Sequence, residues 1–432
     1  MYWKVLPVKE IKLKKINEII YYEKLKNGMD VYLYPKKGNQ NNYVTFTTKF
    51  GSINHEFIPV DSDKFIKVPL GIAHFLEHKV FAQENDPQPS EFFAESGALS
   101  NAYTTFKNTT YLFSGSDNLK ENICYLLDFV QTPYFTEENV ESEKGIITQE
   151  IHMCDDRPLD ILYEHIRTTT LHSNSYRDSV IGDVDDINSI TKELLDTCYN
   201  TFYHPSNMFL VVTGNFDKDE IMEAIIDNQS KKKYEKVPKI KLKKIKEKDS
   251  IVKEKEIIKT NTNIPKVSYN IKVPINKMDI DKRKLNIYMY IIFSILFDDS
   301  SLFNEKAKND NIITNSVSIN VLNCDTHLII SLINETMKYD ELLKMIKERL
   351  DNIEISKQDL ERKKKVIISN EIFSFENIEV VNEMIVDSII FDNHIEDNIV
   401  DIINSLNLEE INYIIDKIDV NNSSIVIVTN EK

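Results

Sequence analysis

Residues 71–81 read GIAHFLEHKVF and carry two histidines four apart with a glutamate just before the second. On a helix His74 and His78 project from one face, close enough to share one ion. Glu77, three residues after His74, lies on that face too, so its carboxylate can reach a water beside the ion. Zinc takes histidine nitrogen at about 2.0–2.1 Å, and a catalytic zinc keeps its fourth position for water. A zinc ion here would lower the pKa of that water towards ~7. Glu77 would accept its proton and later hand it to a leaving amine. The plain alternative is an accidental histidine pair, so a third ligand is required.

The segment SEKGIITQEI, residues 142–151, offers one. Glu143 and Glu150 are seven apart, two helical turns, and so occupy one face. Glu150 on a second helix packed beside the first would complete a His₂Glu set. Glu143 would then lie two turns away and accept the other ring N–H of a ligand histidine, which orients it. His152 follows Glu150 closely but points about 100° away from a neighbouring helix position. The remaining histidines have no partner at ligand spacing. Glycine-rich phosphate loops and the GxSxG pattern are absent from the sequence.

These residues need elements to hold them. Asn27-Gly28 is a hairpin turn between Glu23–Leu25 and Met29–Tyr34. Tyr43–Lys49 and Thr109–Ser114 read as strands, and Gly71–Phe81, Asn118–Val130 and Glu137–Met153 as helices. Thr136 is the N-cap candidate of the last. All nine glycines fall between Gly28 and Gly214, which places the turns demanding positive φ in the first half. Residues 188–214 and 404–429 each begin Asn-Ser, run an amphipathic helix and end in an apolar strand, as a duplicated α+β unit would.

At 432 residues the chain exceeds one ordinary core. The division expected is a first domain over 1–228, a charged linker over 229–260 and a second, related domain over 261–432. The fold class expected is α+β, each domain a mainly antiparallel sheet with helices packed on it. A net charge of −16 argues against nucleic acid as the partner, since phosphate contacts need clustered Lys and Arg. Four scattered cysteines without a CxxC pair fit a reducing compartment. The longest apolar stretch, Ile287–Phe297, is too short to span a bilayer. With no apolar leader in the first residues, a cytoplasmic location without membrane association is expected.

HFLEH, followed about seventy residues later by EKGIITQE, resembles the inverted-motif zinc peptidases. This is the family of pitrilysin, insulin-degrading enzyme and the mitochondrial processing peptidases, and the likeness is nearest to its short bacterial members. The resemblance extends to NGMDVYL, GALSNAYT at 97–104, TPYF, and YHPSNMFLVVTGNF at 203–216. It implies one zinc per chain on His74, His78 and Glu150, with Glu77 as the base and Glu143 as the supporting glutamate. It also implies that Asn101 lies beside the scissile bond and Ala102 on an edge strand that pairs with substrate backbone. An open sheet edge binds extended peptide through main-chain hydrogen bonds, whatever the side chains.

One segment departs from the family. Members that complete their own site carry an Arg and a Tyr in a stretch resembling "LREK…GL.Y". Here SSLFNEKAKNDNIITNSVS, residues 300–318, has Asn304 at or beside the Arg position and no Tyr. The expectation is therefore a zinc endopeptidase of short or unfolded peptides, working as the catalytic subunit of a heterodimer with a homologous chain, a homodimer being the other option. A non-enzymatic scaffold subunit of the same fold is the competing reading, and trimming of one peptide precursor is a narrower version of the first.

Overall fold

A computed structural model describes residues 8–84, 88–234, 237, 239–244 and 246–430. Positions 235, 236, 238 and 245 of the expected linker, and residues 1–7 of the amino terminus, lie outside the described residues. The chain forms two compact units. The first takes residues 1–151, 179–243 and 371–399; the second takes 152–178, 244–370 and 400–432. These units do not follow a linear cut at 229–260, because residues 371–399 pack with the first unit.

The first unit is built on a seven-stranded sheet. Its strands are β1 (Lys9–Leu13), β2 (Glu18–Lys24), β3 (Asp30–Pro35), β4 (Asn42–Thr48), β5 (Ala98–Thr104), β6 (Thr109–Gly115) and β7 (Met208–Gly214). They lie in the order β1-β2-β3-β7-β4-β6-β5. All neighbours are antiparallel except β3 and β7. The β2–β3 hairpin turns where the Asn-Gly pair predicts it. Gly28 has φ 93°, and the Asn27 side chain accepts the Met29 N–H at 3.2 Å.

Both faces of this sheet are covered, so its central strand β7, MFLVVTG, carries an unbroken apolar run rather than an alternating one. Along β7, Met208, Leu210 and Val212 enter one core, where the helices α1 (Ile72–Val80) and α2 (Glu137–Asp155) also contribute. Phe209 and Val211 enter another, with Tyr32 and Tyr34 of β3. That second face is closed by α3 (Ile378–Asp392), through Val381, Ile385, Val386 and Ile389. Asn382 is the polar bolt of this contact. Fully buried, it accepts from Thr45 Oγ1 at 2.6 Å and donates to the carbonyls of Tyr43 and Val211 at 3.1 and 3.2 Å.

The second unit holds a five-stranded sheet of β8 (Lys255–Lys259), β9 (Lys266–Pro274), β10 (Ser318–Asn323), β11 (His327–Glu335) and β12 (Ser423–Thr429). The order is β8-β12-β9-β11-β10. β12 pairs parallel with β8 and antiparallel with β9, just as β7 pairs parallel with β3 and antiparallel with β4. Each of these strands follows a short helix, Lys192–Phe202 or Leu408–Lys417. The echo between residues 188–214 and 404–429 is thus an echo in pairing as well as in sequence. The stretch Ile287–Phe297 falls within the largely buried helix Lys282–Phe297. No helix among the described residues is long and apolar enough to cross a membrane.

One glycine-based expectation is corrected. Positive φ also occurs in the glycine-free half, at Asn311, Asp325 and Asn393. Asn and Asp tolerate the left-handed region through local hydrogen bonding.

Candidate metal centre

Helix α1 starts at a fixed place. Gly71 precedes it with φ 75°, and a Cβ there would lie 2.2 Å from the Ile181 carbonyl oxygen. Only glycine permits that approach, which seats the first turn against residues 181–182. Phe75, Leu76 and Val80 then bury in the core, and the opposite face presents His74, Glu77 and His78. Helix α2 begins where Thr136 predicts: its hydroxyl accepts the Asn139 N–H at 3.1 Å and the Asn139 side chain returns to the Thr136 N–H at 3.0 Å, a reciprocal cap.

The two helices bring His74, His78 and Glu150 together, with one donor atom of each within 4.8 Å of the others. Glu150 Oε1 lies 3.6 Å from His74 Nε2, and Oε2 lies 3.5 Å from His78 Nε2. Two atoms bound at about 2.0–2.1 Å to one tetrahedral zinc are roughly 3.3 Å apart, close to these two contacts, so the donor set suits the ion. Glu143 stands two turns earlier on α2. Its Oε1 accepts the His78 Nδ1 proton at 3.0 Å, so that once the ring is neutral Nε2 is its lone-pair nitrogen on the Glu150 side. Its Oε2 accepts from Lys79 Nζ at 3.1 Å.

The electrostatics follow from the packing. Burial pulls the His78 pKa down, but hydrogen bonds to Glu143 and Glu150 outweigh it and raise it to about 9 in the metal-free site. Contacts from His74 and His78 hold the Glu150 carboxyl far below the usual range. Burial pushes Glu143 up, while His78 and Lys79 bring it net below its ordinary value. The site therefore keeps its carboxylates ionised, and a metal ion has to displace a proton from His78.

Glu77 is 9 % exposed. Its Oε2 accepts the Thr104 hydroxyl at 2.6 Å, which ties it to β5. That strand has one neighbour in its sheet, β6, and is the sheet's edge. Side chains alternate along a strand, so Ala102 shares the Thr104 face. Asn101 lies on the other face, and its Oδ1 accepts the Ala102 N–H at 2.9 Å. The structure thus gathers His74, His78, Glu150, Glu143 and Glu77, puts Ala102 on the edge strand beside them, and turns the Asn101 side chain away.

Thr104 and Lys79 were not singled out by sequence. Thr104 ends the GALSNAYT segment, and Lys79, 3 % exposed, directly follows His78. A lysine inside a helix that buries nearly all its residues was the signal for a charge partner. His152 is exposed and points to Asp155. Asn304 is buried, and its Nδ2 donates to Ser316 Oγ at 2.9 Å, so it serves its own unit.

Comparison with known proteins agrees with this architecture. The family model described as insulinase (peptidase family M16) matches residues 67–184, and that of the peptidase M16 inactive domain matches residues 189–367. YmfH, a zinc protease by name, of Bacillus subtilis strain 168, is 42% identical over 296 residues, 68% of this chain and 69% of the relative. The mitochondrial-processing peptidase subunit beta of Bos taurus is 27% identical over 157 residues, 35% of this chain and 32% of its own. An M16-like peptidase of Alicyclobacillus acidocaldarius superposes with a TM-score of 0.89 at 29% identity, covering 98% of both chains. Pitrilysin shares the fold at a TM-score of 0.75 and 15% identity, with 98% of this chain matched to 46% of that one. With a relative this similar over two thirds of its length and both halves matched by models of one family, the chain belongs to the insulinase family of peptidases, M16.

Proposed function

We propose that this chain is a zinc-dependent endopeptidase acting on short or unfolded peptides. His74, His78 and Glu150 would hold one zinc per chain, and Glu77 would act as general base. The observation that carries the reading is the convergence of two Nε2 atoms and a carboxylate at near-zinc spacing beside a glutamate anchored to an open sheet edge. When bound, zinc supplies a Lewis acid that lowers the pKa of water. Glu143 fixes the His78 tautomer. Thr104 holds Glu77 Oε2, leaving Oε1 to take a proton from the attacking water and pass it to the leaving amine. The peptide lies along β5 near Ala102 and Asn101, held by main-chain hydrogen bonds.

We further propose a homologous partner subunit, heterodimeric by preference, that supplies the substrate contacts missing from residues 300–318. The bovine relative is itself named as a subunit, and pitrilysin is about twice the length matched here. A scaffold role is the competing reading, and it gives no reason for Thr104 to hold Glu77 beside two histidines. Cleavage of an unstructured peptide by wild type and by Glu77→Gln, with and without a homologous partner, tests the proposal. The expected result is a loss of about 10²–10⁴ in kcat for Glu77→Gln. Equal rates for the two proteins would remove Glu77 from the chemistry.

A further inference from the structure

The edge strand β5 is held from both of its faces. On one face Thr104 donates to Glu77. On the other, its neighbour Tyr103 donates to Glu383 Oε2 at 2.6 Å. Glu383 lies on α3, some 280 residues further along the chain, and its Oε1 accepts the Tyr43 hydroxyl at 3.1 Å. Burial raises the pKa of both tyrosines, and Glu383 raises them further, so both remain donors. A carboxylate accepting two hydroxyls makes charge-assisted bonds, stronger than neutral ones.

The two hydroxyls differ in what they hold. Tyr43 sits on β4, which is hydrogen-bonded on both sides, to β6 and β7. Tyr103 sits on β5, bonded only to β6 within the sheet order. An edge strand opens locally more readily than a central one, and a slip of one residue would exchange Tyr103 and Thr104 between faces.

We propose that Glu383 is a positioning residue for the peptidase site: by holding Tyr103 it fixes the register of β5, so that Thr104 stays on Glu77 and the edge stays open to peptide. This rests on the proposed peptidase function. It also makes part of the site's support come from the last third of the sequence, although none of the metal ligands does.

The test uses the zinc-loaded full chain, with and without the homologous partner, as wild type, Glu383→Gln, Tyr103→Phe, their double variant, and Tyr43→Phe. Glu383→Gln and Tyr103→Phe are each expected to lower kcat/KM by about tenfold or more. The double variant should be no worse than the worse single, as for two ends of one bond. Amide hydrogen exchange over residues 98–104 should speed up in these variants while that of Thr109–Gly115 does not. Tyr43→Phe should leave both readouts at wild-type values. Wild-type exchange in Tyr103→Phe and Glu383→Gln, or faster exchange with unchanged cleavage, overturns the proposal, as does equal damage from Tyr43→Phe. Faster exchange in a chain whose wild type cleaves nothing, with or without the homologous partner, upholds the tether and sinks the peptidase reading alone.

Discussion

His78 turns its Nδ1 proton toward Glu143, 3.0 Å away, and this sets which nitrogen faces Glu150. Glu143→Gln removes the ionised acceptor while keeping the side-chain shape. Zinc affinity is expected to fall about 10–100-fold, read by competition with a chromophoric chelator. An unchanged affinity would mean that helix packing alone orients the ring. At this scale much was legible from sequence, because His74, Glu77 and His78 share one short helix whose geometry is known in advance. Glu150 needed only a second helix with its own seven-residue spacing. Thr104 was not legible: its contact joins residues 27 apart through a hydroxyl, and threonine carries no periodic pattern that names its partner.

Helix α3 shows what element-level patterns convey and where they stop. Its buried apolar positions Ile378, Val381, Ile385, Val386 and Ile389 recur at helical spacing, so a helix is readable, although Val380 and Phe391 outside that stripe are apolar and exposed. Which sheet it covers is not, since any apolar face would receive that stripe. The complementary signal lay in β7, MFLVVTG, whose unbroken apolar run requires cover on both faces. Asn382 is the specific part of the contact. Asn382→Ala strips partners from Thr45 Oγ1 and from two carbonyls inside the contact, and is expected to destabilise by about 1–3 kcal/mol. Chemical denaturation measures this, and a change under ~0.5 kcal/mol would show that water replaces the lost bonds.

For the whole molecule, the linear division at residue 228 leaves the first unit without residues 371–399. A fragment of residues 1–228 exposes Tyr32, Tyr34, Phe209 and Val211, which α3 otherwise covers. It is expected to bind a hydrophobic dye and aggregate, and a monomeric fragment with cooperative unfolding would contradict this. The stretch 229–260 reads as a charged linker, with little of the aromatic content a core needs, yet the Glu247 side chain within it is buried. It accepts the N–H groups of His172, Ser173 and Asn174 and pairs with Lys272 at 2.6 Å, the two side chains 1 % and 0 % exposed. Burial alone would raise its pKa; the amides and Lys272 outweigh that and hold it at about 2. A carboxyl depressed by folding stabilises above its unfolded pKa, about 4.3, and loses that contribution as pH falls towards 2. Acid unfolding of the wild type should therefore steepen in this window, and Glu247→Gln should flatten it while lowering stability at pH 7 by about 3–5 kcal/mol. An acid limb of equal slope in both proteins would assign the acid sensitivity to other groups.

The most direct measurement is zinc content per chain, taken on the same samples used for peptide cleavage, for wild type, Glu77→Gln and Glu150→Gln. About one zinc is expected in wild type and in Glu77→Gln, with cleavage only in the former, and a marked loss of zinc in Glu150→Gln. Wild type that binds no zinc, or Glu150→Gln that keeps it, would contradict the metal centre assigned to His74, His78 and Glu150.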